Sequence, residues 1–168
     1  MTTNRNRAEG ETIGSFPGLL TRSPSTVRVG DSISSAIEKL VARPESRAVY
    51  VLDPQGKLVG VVSFRCILRV AKARYGSLSP GLFSLVRYFR DLQPETVEHL
   101  MRPATPVRAD TPLKEALLLL EETKQNDLPV VDEEGKVVGE LAGREVMALA
   151  LEVFRKTEGD LARSRADS

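Results

Sequence analysis

The chain has no tryptophan, one histidine and one cysteine in 168 residues, and these shortages remove several functions at once. A lone Cys66 cannot close an internal disulfide, and with His99 as the single imidazole no cluster has metal-ligand spacing, so a structural zinc site is excluded. A histidine-based triad would need His99 alone, and that residue lies between Glu98 and Leu100 in a stretch that reads as helical. Cys66 sits in an apolar helical run, where thiols behave as inert small hydrophobes. The expectation is therefore a protein that is not an enzyme. No uncharged apolar run approaches the roughly 18 to 20 residues of a membrane span. Met1 to Glu11 is polar, without an apolar core ahead of a small-residue cleavage site, and a cytoplasmic location is expected.

What is present is ordinary in bulk and uneven in detail. With 41% hydrophobic and 28% charged residues the chain has the composition of one or two small globular domains. The formal net charge is only +1, yet Phe64 to Arg90 holds Arg65, Arg69, Lys72, Arg74, Arg87 and Arg90 and no acid. Thr111 to Asp160 sets twelve acids against six bases. A basic patch attracts phosphate-bearing ligands or nucleic acid, while a solvated helix face beside an acidic neighbour is the commoner arrangement. No basic-plus-aromatic motif specific to RNA or DNA accompanies it, so nucleic acid is not the expected partner.

The strongest pattern is an internal repeat. Val27-Arg28 returns as Val107-Arg108, Ile33 as Leu113, Ala36 as Ala116, Ile37 as Leu117 and Leu40 as Leu120, all at an offset of 80. Asp53-Pro54-Gln55-Gly56-Lys57-Leu58-Val59-Gly60 matches Asp132-Glu133-Glu134-Gly135-Lys136-Val137-Val138-Gly139 at 79, and upstream Leu20 and Arg22 match Leu100 and Arg102 at 80. Each copy reads as β-α-β-β-α. Asp31 or Ser32 caps the first helix, and Thr111 caps its counterpart with Pro112 as the first helical residue. Ala48 to Leu52 and Leu58 to Ser63 flank a turn, as do Leu128 to Val131 and Val137 to Leu141. Gly56 and Gly135 are placed to supply a positive φ. Short strands are expected at Thr26 to Val29 and at Pro106 to Ala109. Closing helices carry Ile67, Leu68 and Ala71 in the first copy, and Val146, Met147, Ala150, Leu151 and Phe154 in the second. A unit of about 50 residues has too little interior to stand alone, so the two should pack about a pseudo-two-fold axis as one α/β (α+β-like) body.

These residues resemble the cystathionine β-synthase (CBS) domain. The resemblance is carried by Val29, Asp31-Ser32-Ile33, Ala36 and Asp53-x-x-Gly56-x-Leu58-Val59-Gly60-Val61-Val62-Ser63, and again by Leu128-Pro129-Val130-Val131-Asp132-x-x-Gly135-x-Val137-Val138-Gly139. It covers about Leu20 to Phe154 and implies a regulatory pair that binds an adenosine-containing ligand between its repeats and forms a homodimer. The ligands so implied are AMP, ADP, ATP, S-adenosylmethionine or a relative, with no required cofactor and an effector protein as partner. The family's Gly-x-x-Ser/Thr-x-x-Asp ending is only half kept in each copy. The first has Gly60, Ser63 and Cys66, losing the carboxylate; the second has Gly139, Ala142 and Glu145, losing the hydroxyl. Losing one charge-assisted hydrogen bond costs about 1.5–3 kcal/mol, or about 10- to 100-fold in affinity. By this comparison copy two, with Arg144 and Glu145, is the better site. Arg65 occupies the place of Arg144 in copy one. The resemblance also sets Thr26, Val27 and Val49 in copy one, and Thr105, Val107, Leu128 and Pro129 in copy two, around an adenine; most of them are also natural core positions.

The expected layout is a flexible tail over 1–18, repeat 1 over 19–74, a helical insert over 75–98, repeat 2 over 99–156 and a flexible tail over 157–168. The insert holds four of the eight aromatics. Leu82, Phe83, Leu85, Val86 and Phe89 follow helical spacing after Ser79-Pro80, and a second helix is expected over Pro94 to Met101. The hairpin either packs on its own module or presents Phe83, Tyr88 and Phe89 as an interface. The alternative to a ligand sensor is thus an interaction module with decayed nucleotide sites that acts through this basic, aromatic insert.

Overall fold

The computed structural model describes residues 10–20, 23–76 and 82–166, with side chains to residue 158. Repeat 1 holds β1 (Thr26–Arg28), α1 (Ile33–Ala42), β2 (Ala48–Leu52), β3 (Leu58–Ser63) and α2 (Phe64–Tyr75). After it come α3 (Leu82–Leu92) and a 3-10 turn, Val97–His99. Repeat 2 holds α4 (Leu113–Thr123), β4 (Asp127–Val131), β5 (Val137–Ala142) and α5 (Gly143–Ala166). The α/β pattern is the one expected, with β1 parallel to β2, β2 antiparallel to β3, and β4 antiparallel to β5.

Both hairpins follow from their turn residues. Asp53 Oδ1 accepts from the N–H groups of Gln55 and Lys57, Asp132 Oδ1 accepts from those of Glu134 and Lys136, and Gly56 and Gly135 take φ of 82° and 83°. Pro106 to Ala109 is not a second parallel strand: it reduces to one bridge, Val107 to Val130. In repeat 1 the Tyr50 N–H donates to the Ser25 carbonyl at 2.9 Å; Pro129 stands where Tyr50 stands and has no N–H to give.

The helix starts show what ties the copies together. Ser32 caps α1 through its hydroxyl, which accepts from Ser35 N–H at 3.2 Å. Thr111 does not cap α4; Pro112 takes the N-cap, and the Thr111 hydroxyl accepts from Arg108 N–H. The first helical N–H, on Leu113, instead donates to the carbonyl of Glu11 at 2.9 Å. Ile33 at the head of α1 donates likewise to Glu95 at 3.1 Å. Each repeat is thus completed by the segment that precedes the other in the chain.

This corrects both ends and the insert. The N-terminal stretch expected as a tail to residue 18 forms two 3-10 turns, Ile13–Ser15 and Pro17–Leu19, whose Ile13 and Leu19 are buried in the core of repeat 2 with Val107, Ala116, Leu128, Val130 and Leu141. The C-terminal stretch expected as a tail from 157 continues α5 to Ala166. The helix expected over Pro94 to Met101 is one 3-10 turn, because Glu95 and Val97 use their backbones to bind Ile33 and Asp31. Val97 and Leu100 bury in the core of repeat 1 with Val27, Val49, Ile67, Tyr88 and Leu92. Of the apolar residues carried by α5, Val146 is buried, while Met147, Leu151 and Phe154 are 69%, 48% and 59% exposed.

The linker into repeat 2 crosses β3 tightly. Val61 and Arg102 exchange N–H and carbonyl at 2.9 and 3.0 Å, and a Cβ on Gly60 would meet Met101 Sδ at 2.7 Å and the Arg102 carbonyl at 3.1 Å. At Gly139 the nearest neighbours are 3.8 Å away. Gly60→Ala should therefore destabilise by about 1–3 kcal/mol, while Gly139→Ala should change stability by under about 0.5 kcal/mol; urea denaturation of both variants checks the contrast.

Candidate functional site

A cleft of about 1120 Å³ opens where the end of repeat 1's sheet meets the start of repeat 2's. Its apolar side comes from α1 and α2, with Ile37, Leu40, Phe64 and Ile67, joined by Phe89 of α3. The polar side comes from three places: Ser46 and Arg47 before β2, Ser63 and Arg65 at the β3–α2 junction, and Arg102 and Thr105 in the linker. Repeat 2 closes it with Glu122 to Asp127, the end of α4 and the start of β4. An apolar wall with a few convergent polar groups is the usual build of a small-molecule site.

Ser63 is the N-cap of α2, yet its side chain makes no capping bond; its Oγ lies 3.5 Å from Cys66 Sγ. The hydroxyl thus bonds to a side chain of α2 and leaves the backbone N–H groups of the helix start uncapped. Cys66 is buried, with its sulfur 3.7 Å from the Val61 carbonyl. Arg65 reaches across to the Lys124 carbonyl at 3.4 Å. Lys124 has φ 54° and ψ 32°, the one non-glycine residue with positive φ among the described residues.

Of the expected site residues, the cleft brings together Ser63 and Arg65 of repeat 1 and Thr105 of the linker. Val27 and Val49 are core residues of repeat 1, Val107 and Leu128 are core residues of repeat 2, and Pro129 is buried in β4. Thr26 lies on β1, where its carbonyl accepts from Lys39 Nζ. Arg144 is exposed and Glu145 half-buried at the start of α5, and neither lines this cleft. The half of the motif favoured by the sequence thus lies away from the open cleft, which is lined by both copies. Arg47, Asn126 and Asp127 were not legible as site residues, since they flank strands and repeat no motif; Arg102 had a signal, its match to Arg22.

The pseudo-symmetric place is built differently. Where repeat 1 has Val61, repeat 2 has Glu140, wholly buried. Glu140 Oε1 accepts from Tyr50 OH at 2.7 Å and lies 3.1 Å from Ser46 Oγ, joining β5 of one repeat to β2 of the other. Burial, then the charge and hydrogen bond of Glu140, push the Tyr50 phenol well above its ordinary value.

The expected interface on the insert is also corrected. Tyr88 is buried, donating from its OH to the Ile67 carbonyl at 2.9 Å, and Phe89 is half-buried, because this face of α3 packs on repeat 1; Phe83 is 89% exposed. Arg69 donates to the Leu100 carbonyl and Arg74 pairs with Glu95, so part of the basic run holds the exchanged segment in place.

Comparison with known proteins agrees with this architecture. The model of the CBS domain matches residues 14–73 and 97–152. The chain belongs to the CBS domain family. CBSX2, a chloroplastic CBS domain-containing protein of Arabidopsis thaliana, is 35% identical over 166 residues, covering 89% of this chain and 67% of that protein. A crystal structure of CBSX2 superposes with a TM-score of 0.71 at 33% identity, over 87% of this chain and 98% of the other; another holds CBSX2 in complex with AMP (TM-score 0.63, 31% identity, 86% and 98% covered). The magnesium transporter MgtE of Thermus thermophilus is 31% identical over 144 residues, 80% of this chain but 28% of the transporter. The cytosolic domain of the Mg2+ channel MgtE in complex with ATP gives a TM-score of 0.60 at 30% identity, over 85% of this chain and 50% of that one. No helix among the described residues is long and apolar enough to cross a membrane.

Removing the Tyr50 hydroxyl leaves Glu140 one donor short, so Tyr50→Phe should cost about 1.5–3 kcal/mol at neutral pH. The folded-state phenol pKa lies above the unfolded one, so the stability it confers is intact below about pH 10 and lost as pH rises through the folded value. Urea denaturation against pH should show this alkaline loss in the parent and a shallower one in the variant.

Proposed function

We propose that this CBS pair is a regulatory module that takes an adenosine-containing ligand into the cleft at Ser63, Arg65 and Thr105 and relays its bound state to a partner protein. The observation that carries the reading is that one cleft is lined by both repeats. A ligand seated there touches both and favours the inter-repeat arrangement in which those contacts are best, which is how binding acquires a consequence elsewhere. The apolar side suits a purine, and Ser63 with Arg65 at the start of α2 suits a phosphate. AMP and ATP in the related structures support the ligand class, and S-adenosylmethionine stays in the panel by family resemblance.

Calorimetry against AMP, ATP and S-adenosylmethionine tests this. The parent should bind at least one saturably, Ser63→Phe should weaken binding by more than about 10-fold by filling the cleft, and Glu145→Ala should change it less than about threefold. Silence from folded protein overturns the proposal, and loss in Glu145→Ala alone moves the site to copy two.

A homodimer is the second part of the reading. Met147, Leu151 and Phe154 recur at helical spacing on α5 and lie open. This stripe, rather than the insert, is the surface we assign to self-association. Leu151→Lys with Phe154→Lys should yield monomer in sedimentation equilibrium, while Phe83→Lys should leave the dimer intact; an unchanged dimer in the double variant overturns the assignment.

A further inference from the structure

The charge lining the cleft carries a choice among ligands. Arg47, Arg65, Arg102 and Lys124 supply four cations, against two acids, Glu122 and Asp127. Among the described residues none of these four side chains has a carboxylate within ion-pair distance; the ion pairs lie elsewhere, at Arg74, Arg108, Lys136 and Lys156. The Arg65 guanidinium reaches only a backbone carbonyl, at 3.4 Å. Asp127 Oδ2 accepts from the Arg47 backbone N–H at 3.3 Å, and four cations against two acids leave an excess of positive charge whose members repel one another until an anion arrives, an effect that low-dielectric walls strengthen.

The four come from separate parts of the chain: the approach to β2, the first turn of α2, the linker, and the C-cap of α4. Lys124 adds an independent sign. Its left-handed backbone is one that glycine adopts freely and a lysine only with strain, and helices commonly end on glycine there. A strained cation at the rim of a cleft marks a position shaped for something other than stability.

We infer that the cleft selects a polyphosphorylated adenosine, with the purine against the apolar wall and the phosphate chain among the cations of both repeats, and discriminates against the positively charged S-adenosylmethionine. This rests on the cleft reading above and sharpens it to a rank order. Affinity should rise from adenosine through AMP and ADP to ATP, because each added phosphate meets a cation already in place. It should also fall with salt, as attraction between partly exposed charges does.

The test is calorimetry on the full chain with adenosine, AMP, ADP, ATP, S-adenosylmethionine and inorganic tripolyphosphate, at low and physiological salt. ATP should bind at least about tenfold more tightly than AMP or S-adenosylmethionine. Arg47→Ala and Arg102→Ala should each weaken ATP by about 10-fold and AMP by less than about threefold. Lys124→Gly should weaken ATP while raising Tm, which separates loss of a contact from loss of fold. Affinity that is flat from adenosine to ATP, S-adenosylmethionine bound as tightly as ATP, or ATP binding unmoved in all three variants overturns the inference while leaving the adenosine-ligand reading intact. Tripolyphosphate bound as tightly as ATP, with adenosine and AMP silent, overturns the adenosine reading and keeps the polyphosphate one. Silence from every ligand overturns both.

Discussion

The opening helix of each repeat has a first N–H with no acceptor inside the helix, and in both repeats the acceptor is a carbonyl delivered by the segment that precedes the other repeat. Glu11 serves Leu113, Glu95 serves Ile33, and reciprocal bonds from Ile13 to Thr111 and from Val97 to Asp31 turn each contact into a two-bond bridge. Side chains follow the backbone: Ile13 and Leu19 enter the core of repeat 2, Val97 and Leu100 that of repeat 1. A buried helix end without such a partner would carry unsatisfied donors, so neither repeat can close properly on its own segment alone. The duplication is therefore one folding unit, and the clefts between copies are part of its interior design.

From this exchanged frame the two copies diverge through a few residues. Pro129 in place of Tyr50 removes one parallel-strand bond, and Glu140 in place of Val61 puts a carboxylate between the sheets. Tyr50 and Glu140 sit on opposite repeats and answer one another, with Ser46 beside them. A buried carboxylate is tolerated where donors meet it, and breaking such an arrangement is costlier than never having had it. Glu140 is thus committed to a polar cross-link whose Ser46 also lines the large cleft, while its counterpart Val61 contributes an apolar side chain to that cleft. The tandem repeat is symmetric in its chain path and asymmetric in its chemistry.

Much of this was legible from the residues. The offset of 80 falling to 79, the Asp-x-x-Gly turns and the β-branched runs specify both hairpins and their helices, because each rests on local stereochemistry. The strand at Val107 was overestimated for a local reason too, since only the pairing partner reveals that Pro129 lacks the needed N–H. The N-terminal end was misjudged because Ile13 is a single aliphatic residue after a polar stretch; its burial is decided by a groove made about ninety or more residues later in the chain. The residues on α5 are legible as apolar at helical spacing, but whether such a stripe is covered is a distinction that periodicity does not make. For the site, motif comparison weighs each copy by itself and so favours Glu145. The cleft is assembled across copies, and Arg47, Arg102 and Lys124 become neighbours only after the exchange has brought the repeats together.

In the proposed function, that same cross-copy construction is what gives binding its leverage. A ligand held by residues of one repeat would stabilise that repeat and leave the angle between them free. Arg47, Ser63 and Arg65 belong to repeat 1, Lys124 to repeat 2, and Arg102 and Thr105 to the strap that crosses Gly60 between them. An anion that gathers these groups lowers the free energy only of arrangements in which they converge, by an amount that grows with occupancy as RT ln(1 + [L]/Kd). At a hundredfold excess over Kd this is about 2.7 kcal/mol, enough to change the ratio of two inter-repeat arrangements by about a hundredfold when the ligand binds one of them alone. On the same proposal the linker would transmit it: pulling Arg102 and Thr105 toward the cleft would act on a segment bonded to Val61 in repeat 1 and leading directly into the Val107 bridge of repeat 2. Met101 and the Arg102 carbonyl pack closely over Gly60, so in the proposed function the strap would move with the sheet beneath it and turn a shift at the ligand into a shift between repeats.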